Sequence, residues 1–232
     1  LRDIVRRKVL RCRDREQARL IVFDMDTPGG SSAAMDDIVR IIMKDLKDVY
    51  TVAYVNPDAF SAGAVISLAC NEIVLSPTAK LGASMPIMIG PGGIEEIPEK
   101  VRGKFESADR SGMRTLADHR GYNALLCEAM VTIDIVVWLI RNPKTSELRF
   151  VNAADWSGLT ASSTTQPATP KLPEKGWEYV EEVDGPMELV TMTTDEAIFQ
   201  GFATHVFDSL DELSAHYQVA EGLTVLKDNW SE

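Results

Sequence analysis

The first third of the chain alternates short apolar runs with turns of small residues. Arg19-Leu20-Ile21-Val22-Phe23-Asp24-Met25 and Tyr50-Thr51-Val52-Ala53-Tyr54-Val55 are rich in β-branched and aromatic residues and read as buried strands. Each gives way to a turn and then to a helical pattern. After the first come Asp26-Thr27-Pro28-Gly29-Gly30, a cap at Ser31 or Ser32, and apolar residues at Ile38, Ile41, Ile42 and Leu46. After the second come the small residues Ala59, Ser61, Ala62, Gly63 and Ala64, then Val65-Ile66-Ser67-Leu68-Ala69. Glu72-Ile73-Val74-Leu75 reads as a third strand, closed by Ser76-Pro77-Thr78. Strand, helix and strand in this alternation predict repeated right-handed βαβ units, hence an α/β domain.

The pattern changes further along. Residues 84–99 hold Pro86, Gly90, Pro91, Gly92, Gly93 and Pro98, which predicts a loop with no helix or long strand. A long helix is expected from about Pro98 to near Gly121, and a second, more apolar one from Ala124 to Ile140. Residues 142–186 read as an insertion: Glu147–Val151 and Trp177–Val180 alternate like the two strands of a hairpin. The Ser/Thr/Pro/Ala tract between them is too poor in apolar residues to pack, so residues 157–175 are expected to be mobile. Toward the end, Thr194 starts a helix, Ala203–Val206 reads as a strand, and Ser209 opens a last helix with a capping-box pattern. The expected organisation is a basic helix over 1–18, one domain over 19–220 carrying the insertion at 142–186, and a tail over 221–232.

Length, 232 residues, suits one such domain. No apolar run approaches the 18 or so residues of a membrane span. The net charge of −11 argues against nucleic acid as a partner. It is unevenly spread: residues 1–20 carry eight Lys/Arg against three acids, a net +5 that leaves −16 on the rest. That basic segment is either a helix lying on an anionic membrane or a solvated helix face. Cys12, Cys70 and Cys127 match no metal spacing.

Chemistry concentrates at the two small-residue turns. A serine on a tight strand-to-helix turn exposes its hydroxyl, and the first helical turn leaves the next N–H unpaired. Ser61 and Ala62 thus offer a nucleophile and one oxyanion donor. A Gly-Gly pair between strand and helix lets backbone amides approach an oxygen closely, so Gly29 or Gly30 offers the second donor. Two donors are what an acyl-transfer transition state needs. Simple helix-against-sheet packing is the alternative for Ser-Ala-Gly. His119 reads as solvated, His205 and His216 as structural. A lysine can serve as base when burial keeps it neutral, and Lys100 and Lys104 both follow the Pro/Gly loop.

Taken together, Asp26–Gly30, Ser61-Ala62-Gly63 and Leu75-Ser76-Pro77-Thr78-Ala79-Lys80-Leu81-Gly82-Ala83 resemble the ClpP/crotonase superfamily. Within it the likeness is to the NfeD-type membrane-associated serine proteases, relatives of signal peptide peptidase A. It continues at Arg114-Thr115-Leu116-Ala117 and Arg120-Gly121-Tyr122-Asn123, and returns at Leu189–Ala197 with Gly201 and Val206 behind. The resemblance implies a ClpP/crotonase-like fold and a Ser-Lys dyad in place of a Ser-His-Asp triad. Ser61 would be the nucleophile. Lys104, ten residues before Arg114, would be the base, with Lys100 in reserve, and the amides of Gly29, Gly30 and Ala62 would form the oxyanion hole. No metal and no organic cofactor is implied.

The same resemblance implies a polypeptide substrate with exposed apolar segments, drawn from membrane-associated proteins, together with a membrane-protein partner and a homo-oligomeric assembly. The family would supply a signal and membrane spans outside this chain, making the full-length protein membrane-associated with an extracytoplasmic protease domain, of which this is a soluble fragment. The chain departs from the pattern at Asp58-Ala59-Phe60, in the length of the loop before Lys104, and at 142–186, which has no counterpart in the minimal protease. A pseudoprotease that binds peptide without cutting it therefore stands as an alternative. A third reading is an acyl-CoA-handling crotonase, which would need a carboxylate base and a basic rim. Asp58, Glu95, Glu96 and Glu99 surround the site instead.

Overall fold

The computed structural model describes residues 2–90, 93–95, 99–155, 176–220 and 222–226. In chain order its main elements are α1 (Arg2–Asp14), β1 (Leu20–Thr27), α2 (Ser32–Arg40), β2 (Tyr50–Phe60), α3 (Ala62–Ala69), β3 (Glu72–Leu75), β4 (Lys80–Gly82), β5 (Met88–Gly90) and β6 (Gly93–Glu95). There follow α4 (Glu99–Arg120), α5 (Ala124–Ala129), β7 (Val137–Arg141), β8 (Leu148–Asn152), β9 (Glu178–Asp184), β10 (Thr191–Thr193), α6 (Thr194–Phe199), β11 (His205–Val206) and α7 (Leu210–His216). They fall into two compact units: residues 1–81 with 192–232, and residues 82–191.

The first unit is built on parallel pairing. β1 lies beside β2, β2 beside β3 and β3 beside β11, with Val22 level with Val52 and Tyr54 level with Val74. β4 and β10 continue the sheet where the chain leaves and re-enters the unit. Both faces are covered, which is why the strands read as continuous apolar runs. Leu20, Val22, Val52, Tyr54 and Val74 point to one face, where Leu210, Leu213 and Tyr217 of the α7 region pack. The odd positions Ile21 and Phe23 point to the other face, against Val5, Val9, Ile41 and Leu46. The apolar stripe of the basic helix α1 is therefore used within the unit. Arg2 pairs with Asp37 at 3.0 Å, and Arg13 donates to the Asp45 carbonyl.

One buried carboxylate ties this unit together. Glu72 accepts from Tyr50 Oη at 3.0 Å, from Tyr217 Oη at 2.6 Å and from Thr204 Oγ1, and lies 3.2 Å from His205 Nδ1. Burial alone would raise its pKa, but these hydrogen bonds outweigh it and hold the carboxyl below its ordinary value. His205 is also in ring contact with His216 and stacks on Phe207.

The second unit holds α4, α5 and a three-stranded antiparallel sheet. Here two expectations are corrected. The helix expected over Ala124–Ile140 ends at Ala129, and Val137–Arg141 is a strand. The β-branched residues Val131, Thr132, Ile133, Ile135, Val136 and Val137 crowd a helix and suit an extended chain. The two strands expected to pair as a hairpin instead flank β7, one on each side, so the order is β8-β7-β9. Trp138, Ile140, Ala153 and Trp177 form its core on one face, with the Arg149 guanidinium 4.5 Å from the Trp177 ring centroid. Within the 84–99 loop, β5 and β6 pair as a three-residue antiparallel ladder. The whole 157–175 tract expected to be mobile lies outside the described residues, as does most of the 221–232 tail.

Asp184 ends β9 buried, with Oδ2 lacking a hydrogen-bond partner among the described residues. Burial, then Glu188 and Glu182, push its pKa up to about 7. A carboxyl raised on folding holds its proton in the folded state and loses it in the unfolded one between about pH 4 and pH 7. Stability therefore falls across that window as pH rises. Asp184→Asn is expected to raise the melting temperature at pH 8 and to leave it unchanged near pH 4, where both side chains are neutral. Parallel melting curves from pH 4 to 8 check this; equal slopes for the two proteins would refute it.

Candidate active site

Two turns at the same end of β1 and β2 build the site, and each needs the other's glycine. Thr27 is level with Ala59 in the ladder, so the chain after Thr27 runs alongside the chain after Ala59. Gly29 has φ +121°, and a Cβ there would stand 2.6 Å from Ser61 Cβ and 3.0 Å from Ser61 Oγ. In the reverse direction, a Cβ at Gly63 would collide with Thr27 Cγ2. The Gly29 N–H donates to Thr27 Oγ1 at 3.1 Å, which fixes the turn.

Ser61 caps α3 with φ 53° and ψ −123°, a combination that a serine seldom adopts. Such strain costs on the order of 1–3 kcal/mol and persists only where the surroundings impose it. Its carbonyl accepts from Ala64 and Val65, so the helix begins at once behind the strained residue. Neither the Ala62 N–H nor the Gly30 N–H makes a hydrogen bond among the described residues. Ser61 itself is partly buried. Of the three amides singled out from sequence, two are open and the third, Gly29, is occupied by Thr27.

Lys104 is on α4 in the second unit and is exposed. It precedes the buried Met113 by nine residues, half a turn out of phase at 100° per residue, so it projects from the face opposite the packed one. Lys100 is in the first turn of the same helix. The structure supplies no histidine for a triad in the first unit: His205 is level with Val74, and that with Tyr54, seven residues short of Ser61 along β2, roughly 20 Å at 3.3 Å per residue. Asp58, three residues before the serine, has Oδ1 3.9 Å from Lys80 Nζ. Among the described residues no His/Cys/Asp/Glu group is arranged to hold a metal.

Sequence reading missed Thr27, whose hydroxyl and methyl hold the two turns in place. A Thr two residues before a Gly is the turn signature that could have flagged it.

The fold has counterparts among solved structures. Solved structures of the 1510-N membrane-bound stomatin-specific protease align over most of the chain. A serine-to-alanine mutant gives a TM-score of 0.59 at 21% identity, covering 91% of this chain and 75% of that one. A lysine-to-alanine mutant in complex with a substrate peptide gives 0.60 at 21% identity, covering 91% and 71%. At that identity the likeness is one of fold, ClpP/crotonase-like. Residues 1–164 match the family described as NfeD1b, N-terminal domain, and the chain belongs to it. Membrane-bound protease PH1510 of Pyrococcus horikoshii is 32% identical over 127 residues, 53% of this chain and 27% of that protein. Membrane protein NfeD1b of Bacillus subtilis is 38% identical over 64 residues, 28% and 14% of the respective lengths. The chain thus matches about a quarter or less of the length of these curated relatives. No described helix is long and apolar enough to cross a membrane.

The reciprocal fit makes a sharp prediction. Gly29→Ala combines a positive-φ penalty with a clash on Ser61 and is expected to destabilise the protein by about 2–4 kcal/mol. Gly30→Ala, with nothing within 4 Å of the added carbon, is expected to cost under about 1 kcal/mol. Denaturant titration of the two variants compares them, and equal losses would show that the two turns are not locked together.

Proposed function

We propose that residues 19–220 form the protease domain of a membrane-associated serine peptidase, with α1 as a basic helix packed on it. The observation that carries this reading is Ser61: a strained serine at a strand-to-helix turn, with the open amides of Ala62 and Gly30 beside it. Ser61 attacks the scissile carbonyl, and those two N–H groups hold the oxyanion that develops. The base is Lys104, with Lys100 in reserve; it takes the serine proton and returns it to the leaving amine. The substrate is an exposed apolar segment of a membrane-associated polypeptide. The names of the relatives, membrane-bound and stomatin-specific, support that substrate class and a membrane-protein partner. A homo-oligomer in an extracytoplasmic compartment fits the same reading.

The exposure of Lys104 favours a second reading, a peptide-binding scaffold without turnover. A general-base lysine needs a site shielded from water, and Lys104 is exposed. The two readings separate cleanly in an assay on casein or an apolar peptide. Ser61→Ala is expected to reduce cleavage by about 10³-fold or more while retaining peptide binding. Lys104→Arg is expected to be inactive at every accessible pH, because guanidinium cannot accept the proton, whereas Lys100→Arg keeps its activity. The wild-type rate should climb with pH beyond the point near pH 7 where an imidazole base levels off. Peptide binding without Ser61-dependent cleavage would establish the scaffold.

A further inference from the structure

Thr27 ends β1 with its side chain between the two turns of the site. Its Oγ1 makes two hydrogen bonds to one residue: it accepts from the Gly29 N–H at 3.1 Å and donates to the Gly29 carbonyl at 3.3 Å. Its Cγ2 faces Gly63 of α3 so closely that a Cβ there would collide with it. A β-branched side chain has few rotamers to begin with, and that contact leaves the hydroxyl little room to swing. The helix that starts behind Ser61 thus decides where the Thr27 hydroxyl stands. All of these residues belong to the first unit.

A trans peptide points its C=O and its N–H in opposite directions. With the Gly29 oxygen held toward Thr27, the Gly30 N–H is turned away from it, and that N–H makes no hydrogen bond among the described residues. The peptide plane lies between two glycines, and a Cβ built at Gly30 meets nothing within 4 Å, so no side-chain crowding on that side holds it. Rotated by half a turn, the same peptide presents its carbonyl where it now presents the N–H. A carbonyl dipole repels the developing oxyanion that the amide attracts. We infer that Thr27 is a positioning residue of the oxyanion hole: its hydroxyl holds the Gly29–Gly30 peptide with the Gly30 N–H outward as donor, and its methyl keys that setting to the helix behind Ser61. This rests on the protease reading above. The hydroxyl itself touches no reacting atom. One net hydrogen bond shifts an equilibrium by up to about tenfold, and a missing oxyanion donor costs about 10²–10³ in kcat.

The test begins with Thr27→Val, which keeps the branched shape and loses the hydroxyl. The expected result on an apolar peptide is a kcat lowered about tenfold or more, with KM within twofold. By NMR, the Gly29 amide proton is expected to be protected in the unmodified chain and to exchange freely in Thr27→Val. Thr27→Ser and Thr27→Ala both lose the methyl and differ in the hydroxyl, so Ser is expected to recover most of the rate lost in Ala. Equal kcat in Thr27→Val and the unmodified chain, a raised KM at constant kcat, or equal rates for Ser and Ala overturns the positioning role. Should Thr27→Val fail to fold, the Ser and Ala pair decides by the same readouts. Absence of Ser61-dependent cleavage in the unmodified chain overturns the protease reading and this role with it. A Gly29 amide that exchanges equally with and without the hydroxyl overturns the grip on the turn whatever the activity, so the two failures are told apart.

Discussion

Everything at the serine depends on a backbone-to-side-chain contact that admits no extra carbon. Two parallel strands deliver two turns side by side, and Gly29 lies against Ser61 while Gly63 lies against Thr27. Either glycine replaced by an alanine would push the strands' ends apart. The strained φ of Ser61 follows from this crowding, because the chain must reverse from strand to helix with a neighbour already in van der Waals contact. The hydroxyl and the open amides are thus products of packing, made by apolar strands that fix the register from below.

The helix α4, which carries Lys104, is held by a different kind of force. Ser61 is fixed by shape within the first unit, against Gly29. α4 is gripped by the buried Glu128 carboxylate and the Arg110 and Arg114 guanidinium groups in the second unit. Close packing barely responds to salt or pH, whereas a charged clamp half-open to water responds to both. The two halves of the proposed chemistry would therefore fail under different conditions.

The parallel strands were legible because burial on both faces leaves unbroken β-branched runs, as in Leu20–Phe23 and Thr51–Val55. The turns that carry Gly30 and Ser61-Ala62 were legible as strand-to-helix junctions because small residues cluster between an apolar strand and a helical pattern. Gly29 was read as a donor and proved to be a spacer, since only coordinates reveal that Thr27 occupies its N–H. The apolar run after Ala124 was misread because a short helix and a buried strand share one composition; the shift to β-branched residues after Met130 was the discriminating signal. β7 was absorbed into that helix, so its two neighbours looked like a hairpin. Glu128 carried no local signal, since its partners stand 14 and 18 residues away on another helix.

The bond from Tyr54 Oη to the Phe207 carbonyl spans 153 positions, and Thr194 bonds the Ser76 carbonyl across 118. The first unit is therefore discontinuous along the chain: its sheet is laid down early and its second cover, α7, is made last. During synthesis at about 5–20 residues per second, Val52, Tyr54 and Val74 wait roughly 8–30 seconds for Leu213 to emerge. Through that interval the nascent chain carries an open apolar sheet face. A ribosome that stalls or terminates anywhere between residues 82 and 209 releases a polypeptide holding the complete Ser61 turn on a sheet with one side bare, a species suited to aggregation or to capture by a chaperone.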